Sequence, residues 1–289
     1  MANNSMSNNR IASNFKKLRA QKGYSQERVA RLADLSLNTV IRIESGVNKN
    51  PTIETLTKLA RALEVSVDDL LKKPKLQVAL DLLSVDEALK IAKEAWDNGA
   101  EILEAGTPLI KKEGMYAVKA LREKFPEAII VADMKAMDVG GLEAKIAHEA
   151  GANIVTVLAV ASDATILEAL EYARKHGVLI MVDLISHPNP EARVLELANM
   201  GVDILGVHLG IDVQKKLGIT ASSKATIEII KRIRKLFKKP IAVAGGLKPG
   251  KIAPIVKAGA NIVVVGSAIT KSPNPGDVVS EIIRELRNV

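Results

Sequence analysis

Cysteine is absent from this sequence, and its absence excludes disulfides and thiolate metal sites. Long apolar runs are also missing, because no segment approaches the roughly 20 residues that a membrane-spanning helix requires. Aromatic residues are scarce. The first residues, Met1-Ala2-Asn3-Asn4-Ser5, are polar and lack the apolar core of a signal peptide. Together these features predict a cytoplasmic protein that does not cross a membrane.

Positive charge is unevenly distributed along the 289 residues. Residues 1–74 contain 13 Lys and Arg against 7 Asp and Glu, a surplus of +6, whereas residues 75–289 contain 28 against 26, a surplus of +2. The chain is long enough for more than one domain. We therefore predict two domains, 1–74 and 75–289, and expect the basic first domain to bind an anion such as nucleic acid.

Short amphipathic segments fill the first domain. Ser25, Ser36, Thr52 and Ser66 each precede such a segment and are typical helix N-caps. The predicted helices run from about residue 10 to the glycine at 23, and then over 26–33, 37–45, 53–63 and 67–71. Five short helices, with a tight turn between the second and third, predict an all-α helix-turn-helix domain.

The segments Ser25-Gln26-Glu27-Arg28-Val29-Ala30 and 36–46 resemble the Cro/repressor type of DNA-binding domain. The resemblance implies that Gln26 contacts the DNA backbone or a base edge and that Arg28 neutralises a phosphate. It also implies a set of residues that face the major groove: Ser36, Asn38, Thr39 and Arg42. The alternative is a helical bundle that contacts only proteins and has a merely solvated basic face. The agreement of spacing and charge favours double-stranded DNA.

Strand-like and helix-like segments alternate through residues 75–289. The predicted strands are 76–80, 100–103, 129–132, 153–158, 179–182, 204–207, 241–244 and 261–265. Turns such as Ala150-Gly151-Ala152 fit helix C-termini that lead into the next strand. Eight strands alternating with helices predict an α/β fold, a (β/α)8 TIM barrel, in preference to an open doubly wound sheet.

The second domain is organised around residues 129–138, where a buried strand ends in Asp-x-Lys-x-x-Asp. Side chains alternate along a strand, so Asp133 and Lys135 are predicted to point to the same side, with Asp138 in the loop beyond. Unpaired buried charges are costly, so these charges need a reason. An ion pair that only caps the strand is one interpretation. A catalytic site is favoured, because other strands also end in polar residues.

In such barrels the chemistry lies at the carboxyl ends of the strands. Those ends carry, in chain order, Asp81, Glu104, Asp133 with Lys135, Thr156, Asp183, His208, Gly245-Gly246 and Gly266-Ser267. Acids dominate the first half, whereas the last two ends resemble the usual barrel phosphate site, in which backbone N–H groups bind the anion. We therefore predict phosphate binding at Gly245, Gly246, Gly266 and Ser267. Either glycine pair alone could serve only a tight turn.

Glu104 and Asp133 lie on neighbouring predicted strands and could hold a hard divalent cation through oxygen ligands. Mg²⁺ with retained waters fits better than zinc, since cysteine is absent and His208 is the histidine at a strand end. The remaining histidines are interpreted as structural or solvated: His148, His176 and His187.

Four segments together resemble the hexulose-6-phosphate synthase family, in the orotidine monophosphate decarboxylase group of barrels. They are Asp81, Glu-Ala-Gly-Thr-Pro-Leu-Ile at 104–110, Asp-x-Lys-x-x-Asp at 133–138 and Val-His-Leu-Gly-Ile-Asp at 207–212. The likeness spans residues 75–289. It implies an aldehyde-lyase that joins formaldehyde to ribulose 5-phosphate, giving arabino-hex-3-ulose 6-phosphate, with Mg²⁺ or Mn²⁺.

The resemblance also implies roles for individual residues. Glu104 and Asp133 would bind the metal, which stabilises an enediolate. Lys135 would add positive charge beside that enediolate or carry its proton. His208 is the acid/base, and Asp81 holds sugar hydroxyls.

Asp138 in this family typically reaches the partner subunit's active site, which implies a homodimer built through the barrel. Ala136 and Leu209 stand where the family usually has Thr. No arginine follows His208, unlike in the 3-keto-gulonate-phosphate decarboxylases, and this favours the aldolase.

Several alternatives to an active, DNA-binding lyase stay open. The protein could be a transcription regulator whose barrel senses a sugar phosphate, or an enzyme similar to 3-keto-gulonate-6-phosphate decarboxylase. It could also be an engineered fusion, or a structural fusion in which a barrel dimer presents paired helix-turn-helix units. The set Glu104, Asp133, Lys135 and His208 favours activity, because a sensor does not need all four.

Overall fold

A computed structural model describes residues 9–71 and 73–289, which form two compact units that divide between Lys73 and Pro74. Each unit buries a hydrophobic core of its own. Among the described residues, no helix combines the length and the apolar character that a bilayer span requires.

The first unit is all-α, as predicted. Its helices are α1 (Asn9–Gln21), α2 (Gln26–Leu32), α3 (Leu37–Glu44), α4 (Ile53–Leu63) and α5 (Val67–Leu71). The predicted N-caps are observed at α2 to α5; before α5, Ser66 accepts a hydrogen bond from Asp69 N–H at 3.1 Å. Ser25 accepts a hydrogen bond from Arg28 N–H at 3.2 Å, Ser36 from Thr39 N–H at 3.1 Å, and Thr52 from Thr55 N–H at 3.2 Å. Each cap satisfies a donor that the first turn leaves free.

A largely buried ion pair joins α1 to α3. Arg19 Nε donates to Glu44 Oε2 at 2.7 Å and Arg19 Nη2 donates to Oε1 at 2.6 Å, while Nη1 donates to the carbonyl oxygen of Tyr24 at 2.6 Å. This two-pronged geometry is more directional than a single contact to an ammonium group. The pair therefore holds α3, the second helix of the helix-turn-helix, at a defined position over the core formed by Phe15, Val40 and their neighbours.

The second unit is a closed parallel barrel in which each strand pairs with its sequence neighbours and β8 pairs with β1. Its strands are β1 (Lys75–Leu80), β2 (Ile102–Ala105), β3 (Ile129–Ala136), β4 (Ile154–Leu158), β5 (Leu179–Asp183), β6 (Ile204–His208), β7 (Ile241–Ala244) and β8 (Ile262–Val265). The predicted TIM barrel is thus confirmed.

Helices surround the barrel and cover its apolar outer side. They are α6 (Val85–Asp97), α7 (Thr107–Glu113), α8 (Tyr116–Lys124), α9 (Gly140–Glu149), α10 (Asp163–His176), α11 (Pro190–Met200), α12 (Ile211–Leu217), α13 (Lys224–Leu236), α14 (Ala253–Ala258), α15 (Ser267–Thr270) and α16 (Pro275–Arg287). A large core lies between strands and helices, and a smaller one fills the barrel.

The barrel interior is apolar in its middle layer and polar above it. The middle layer consists of Ile102, Val131, Ile154, Met181, Ile204, Ala242 and Ile262. Side chains two residues further along a strand lie on the same face, one step nearer the carboxyl end. On β2, β3 and β4 those side chains are Glu104, Asp133 and Thr156. The period of the strands therefore places polar groups at one mouth.

An amide or carboxylate recurs at the opposite end of the barrel, just before three even-numbered strands. Asn153, Asp203 and Asn261 accept hydrogen bonds from the N–H groups of Ile130, Ile180 and Ile241, at 2.9, 3.1 and 3.0 Å. Each acceptor follows a glycine turn of the kind noted in the sequence. The side chains that follow these turns thus satisfy backbone donors near the start of the preceding strands.

Two predicted strand boundaries were wrong in ways that concern the site. The second strand was predicted over 100–103 but covers Ile102–Ala105, so Glu104 lies inside the strand. The third was predicted to end at residue 132 but continues to Ala136 with an irregularity between Ala132 and Ala136. In the sequence, the charges of Asp133 and Lys135 argue against a strand beyond residue 132. In the structure, pairing of Ala136 with Val157 of β4 extends the strand past them.

Candidate active site and DNA interface

The carboxylate of Asp133 is the most heavily hydrogen-bonded group at the barrel mouth. Thr107 Oγ1 lies 2.7 Å from Oδ2, Thr156 Oγ1 donates to Oδ1 at 2.8 Å, and the ammonium of Lys135 forms an ion pair with Oδ2. Burial opposes the charge of Asp133. The charge of Lys135 and the hydrogen bonds outweigh burial, so the pKa of Asp133 lies below its usual range.

Lys135 reaches Asp133 through an unusual backbone. Its φ is +48°, in the left-handed region that non-glycine residues rarely adopt, within the irregular part of β3. The N–H of Lys135 donates to Thr156 Oγ1 at 2.9 Å. Burial opposes the ammonium charge, but the carboxylate of Asp133 outweighs it and raises the pKa of Lys135. The side chain therefore remains a cation at the mouth of the barrel.

Thr156 holds both members of this ion pair at once. Its hydroxyl accepts from the backbone of Lys135 and donates to the carboxylate of Asp133, and the residue is 4% exposed. Strained backbone persists only where its surroundings over-determine it. Thr156 supplies one such restraint, so β4 positions the charged groups of β3.

Glu104 lies beside this pair, inside the barrel. Gln77 Nε2, from β1, donates to Glu104 Oε2 at 2.5 Å. Burial raises the pKa of Glu104 well above its usual range, and the charges of Asp133 and Asp81 raise it further. An additional cation near these carboxylates would relieve that repulsion.

Asp81 connects the acidic side of the mouth to the glycine side. A Cβ on Gly106 would lie 2.3 Å from Asp81 Oδ1, and one on Gly266 would lie 3.4 Å from Asp81 Oδ2. Partial desolvation and the charge of Asp133 raise the pKa of Asp81, whereas Lys135 and His208 lower it. The pKa of Asp81 therefore depends on charged residues of β3 and β6, and its carboxylate lies close to the turn that follows β8.

His208 at the end of β6 is oriented by Asp183 at the end of β5. The distance from His208 Nδ1 to Asp183 Oδ2 is 2.9 Å, and Asp183 Oδ1 accepts from Ile185 N–H at 2.9 Å. A carboxylate at Nδ1 favours the tautomer with hydrogen on that nitrogen, which leaves Nε2 free to exchange a proton. This pair has the arrangement of an oriented general acid/base.

The glycine turn after β7 has a strict steric requirement. Gly245 and Gly246 have φ of +127° and +67°, and added Cβ atoms would lie 2.8 Å from the carbonyl oxygen of Leu209 and 2.4 Å from Gln214 Oε1. Among the described residues, none accepts a hydrogen bond from the N–H groups of Gly246 or Gly266. Tight-turn geometry alone explains these glycines, and their free N–H groups are also compatible with an anion.

The structure does not bring Asp138 to the other predicted catalytic residues. Asp138 is exposed, and its Oδ1 accepts from the N–H of Val139 at 2.8 Å. Within the described parts of the chain, no hydrogen bond or ion pair joins Asp138 to Asp81, Glu104 or Lys135. Its predicted role therefore depends on a second subunit.

Several site residues were not assigned a role from the sequence. Thr107 and Gln77 were not singled out, and Thr156 and Asp183 were noted only as strand ends. Thr107 stands three residues after Glu104 in the Glu-Ala-Gly-Thr segment. Its closeness in sequence to this predicted metal-binding residue could have indicated that it belongs to the site. Gln77 is an amide within an otherwise apolar strand, which is also an anomaly that the sequence displays.

The residues predicted to contact DNA lie on α2 and α3 and at the N-caps of these helices. Asn38 and Arg42 are exposed on α3, whereas Ser36 Oγ is engaged as the N-cap of α3 and is 2.8 Å from Thr39 Oγ1. On α2, Gln26 is half-buried, and the Arg28 guanidinium carbon lies 4.1 Å from the centre of the Tyr24 ring. Of the predicted DNA contacts, Asn38 and Arg42 are thus the side chains most available to an external partner.

The sequence of the barrel matches a known family. Residues 74–282 match the family described as Orotidine 5'-phosphate decarboxylase / HUMPS, and residues 15–70 match the helix-turn-helix family. The chain belongs to the orotidine 5'-phosphate decarboxylase / HUMPS family. The expected family and the expected helix-turn-helix domain are both confirmed.

Individual proteins that resemble the barrel show which members of this family it is similar to. The 3-hexulose-6-phosphate synthase of Staphylococcus epidermidis is 38% identical over 208 residues, which cover 72% of this chain and 96% of the relative. The structure of 3-hexulose-6-phosphate synthase from Salmonella typhimurium is 37% identical, with a TM-score of 0.69 over 73% of this chain and 98% of that one. A structure of KGPDC from Streptococcus mutans is 25% identical, with a TM-score of 0.68 over 74% of this chain and 97% of that one. These similarities identify the HUMPS-family barrel as an enzyme of the lyase class.

Replacing Thr156 tests whether its hydroxyl positions the two charges of β3. Thr156→Val keeps the shape of the side chain but leaves the buried N–H of Lys135 without its acceptor. We expect a loss of about 1–3 kcal/mol in the free energy of unfolding, measured with urea. We also expect kcat of the lyase reaction to fall by about tenfold or more, because small displacements of reacting groups lower the rate strongly.

Thr156→Ser keeps the hydroxyl and is the matched control, which should restore most of the stability and turnover. Equal stability and kcat for the wild-type, Val and Ser proteins would rule out this positioning role.

Proposed function

We propose that this protein is an aldehyde-lyase that adds formaldehyde to ribulose 5-phosphate, giving arabino-hex-3-ulose 6-phosphate, and that its first unit binds specific DNA sequences. The observation that carries the enzyme proposal is the arrangement of the barrel mouth. The ion pair of Asp133 and Lys135, the acid Glu104 and the oriented His208 lie around one opening. Similarity to 3-hexulose-6-phosphate synthases supports the choice of reaction.

The phosphate group is proposed to bind at the late strand ends, on Gly245, Gly246, Gly266 and Ser267. Free backbone N–H groups at the turns support this placement. The contact between Asp81 and the position of Gly266 brings the sugar chain of such a ligand next to the acids. Asp81 is then suited to bind sugar hydroxyls.

The donor groups at the mouth fit Mg²⁺ or Mn²⁺. A carboxylate has about four lone-pair positions, and the contacts of Asp133 leave part of Oδ1 free, while Glu104 Oε1 has no hydrogen-bond partner among the described residues. In the described residues no three acidic or histidine side chains form a ready metal cage. That agrees with Mg²⁺, which binds through one or two carboxylates plus water and substrate. Held by Glu104 and Asp133, the ion would polarise the substrate carbonyl.

The residues of the chain account for the proton movements of the aldol step. A proton leaves the carbon next to the sugar carbonyl, that carbon bonds to the carbon of formaldehyde, and the formaldehyde oxygen gains a proton. His208, held by Asp183, is placed to exchange such a proton through Nε2. The ammonium of Lys135 stabilises the negative charge that develops on the enediolate oxygens. The proposed chemistry requires no Schiff base.

The proposed DNA-binding function rests on the exposed polar side chains of α3. Asn38 is suited to a bidentate contact with adenine, and Arg42 to one with guanine. The helix-turn-helix match covers residues 15–70, and the surplus of basic residues over 1–74 supports phosphate contacts. We propose that this unit allows the enzyme to act also in transcription regulation.

A homodimer built through the barrel is proposed from an exposed apolar strip on and before α9. Met137, Val139 and Leu142 are each 54% exposed and Ile146 is 38% exposed. Contiguous exposed apolar side chains mark interaction sites on soluble proteins. The strip surrounds Asp138, so a second subunit that covers it would receive that carboxylate.

Turnover of formaldehyde tests the enzyme proposal. We expect the protein to consume formaldehyde with ribulose 5-phosphate and Mg²⁺, and Lys135→Ala to lower kcat by at least about 100-fold, because an electrostatic stabiliser is lost. Lys90→Ala, on the outer helix α6, is the control and should not change kcat. Absence of formaldehyde consumption, or full activity of Lys135→Ala, would contradict the proposal.

Two further measurements test the role of the metal and the identity of the substrate. EDTA should stop turnover and added Mg²⁺ or Mn²⁺ should restore it, and indifference to EDTA would remove the metal role from Glu104 and Asp133. Release of CO₂ from 3-keto-gulonate 6-phosphate in place of aldol turnover would favour the decarboxylase alternative.

Sequence-specific DNA binding is tested by selecting duplexes from a random pool and measuring affinity by fluorescence anisotropy. Asn38→Ala and Arg42→Ala should each weaken binding to the selected duplex by about 1–3 kcal/mol, which is roughly 5- to 150-fold. Thr57→Ala, exposed on α4, is the control. If no sequence is enriched, or if both variants bind as the wild type does, α3 does not read bases.

The oligomer is tested by light scattering. We expect a dimer for the wild type and monomers for Leu142→Glu, because a buried unpaired charge at an interface costs several kcal/mol. Leu195→Glu, at a side chain on α11 that is 50% exposed, should leave the dimer intact. A monomeric wild type would refute the proposed interface.

A further inference from the structure

The nearly neutral total charge of the barrel hides a strong segregation of charge. Residues 75–210 contain 13 Lys and Arg against 21 Asp and Glu, whereas residues 211–257 contain 12 against 2. The net charges of these segments are −8 and +10. Such a separation creates a potential on one side of a domain that its total charge does not reveal.

The positive segment forms one continuous part of the barrel surface. It comprises α12, α13, β7, α14 and their connections, and α13 packs against α14 on one side and α11 on the other. The basic side chains on its outer side are exposed. We call the following set the α13 basic face: Lys224, Lys231, Lys235 and Lys238.

Helix α13 carries a stripe of lysines along this face. Lys224, Lys231 and Lys235 are separated by seven and four residues, so they share one side of the helix. At about 1.5 Å per residue the stripe is roughly 16 Å long. A row of exposed cations of this length can contact several phosphates of a nucleic-acid strand.

Few acids neutralise this face. Glu228 pairs with Lys231 at 2.7 Å, and Arg232, at the edge of the stripe, pairs with Glu191 at 2.7 Å. In the described residues, no acidic group lies within ion-pair distance of Lys224 or Lys235. Several lysines on the outer helices of residues 75–210, namely Lys93, Lys119 and Lys175, each have a carboxylate partner on the same helix.

We propose that the α13 basic face binds the phosphate backbone of double-stranded DNA, so that the barrel adds sequence-independent affinity to that of the helix-turn-helix unit. Catalysis gives no reason for this surface, because Lys231, Lys235 and Lys238 lie on the outer wall and not at the catalytic mouth. DNA is the polyanion that the helix-turn-helix unit is proposed to bind. The acidic remainder of the barrel, by the same electrostatics, faces away from it.

The test is the salt dependence of binding by the full chain to a mixed-sequence DNA duplex, which needs no operator and does not depend on base reading by α3. Each phosphate contact contributes about 0.9 to the slope of log K against log salt. The variant with Lys224, Lys231, Lys235 and Lys238 all changed to Gln should therefore reduce the magnitude of the slope by about 2 to 4. Its aldol turnover and thermal midpoint should stay those of the wild type.

The matched control changes Lys90, Lys93, Lys119 and Lys175 to Gln, which removes the same charge from exposed helix positions elsewhere on the barrel. It should leave the slope within about 0.5 of the wild type. Equal slopes for the two variants would overturn the proposal, because net charge and not the face would then govern binding. An unchanged slope in the first variant would also overturn it and would leave an acidic protein as the partner to seek.

Discussion

Asp133 and Lys135 stand two residues apart at the end of a strand that is otherwise apolar, and their ion pair is buried at a mouth that holds other carboxylates. A buried pair persists only when its remaining hydrogen-bonding capacity is satisfied. Here Thr107 and Thr156, on different elements, complete the partners of Asp133. The neighbouring strand β4 and the start of helix α7 are therefore needed to keep the charges of β3 in place.

This constraint also explains the polarity of the rest of the mouth. Lys135 compensates Asp133 but leaves Glu104 and Asp81 with excess negative charge, and both have raised pKa values because of burial and the charge of Asp133. In the function proposed above, this excess negative charge is what a cation would relieve. The proposed phosphate position at the glycine turns after β7 and β8 keeps the anionic group of the substrate apart from these acids.

Charged side chains occur in two different settings in this protein. In the barrel mouth, charges are buried, paired and positioned to within hydrogen-bond distances. On the helix-turn-helix unit and on the α13 basic face, basic side chains such as Arg42 and Lys235 are exposed to solvent. Buried charges act on a small ligand at short range, whereas exposed rows of cations act on a polyanion and are weakened by salt. The proposed binding of a sugar phosphate and the proposed binding of DNA thus use separate surfaces of one chain.

Much of this protein was determined by local sequence. Alternating periodicities and capping residues such as Ser25 and Thr52 encode the helices and strands, and the spacing of Asp133 and Lys135 marks the candidate site. Only the tertiary structure decided that Glu104 lies within a strand, that Thr156 and Gln77 bond to residues of neighbouring strands, and that Asp138 lies apart from the other predicted catalytic residues. Those features depend on contacts between residues that are distant in sequence, which no local pattern records.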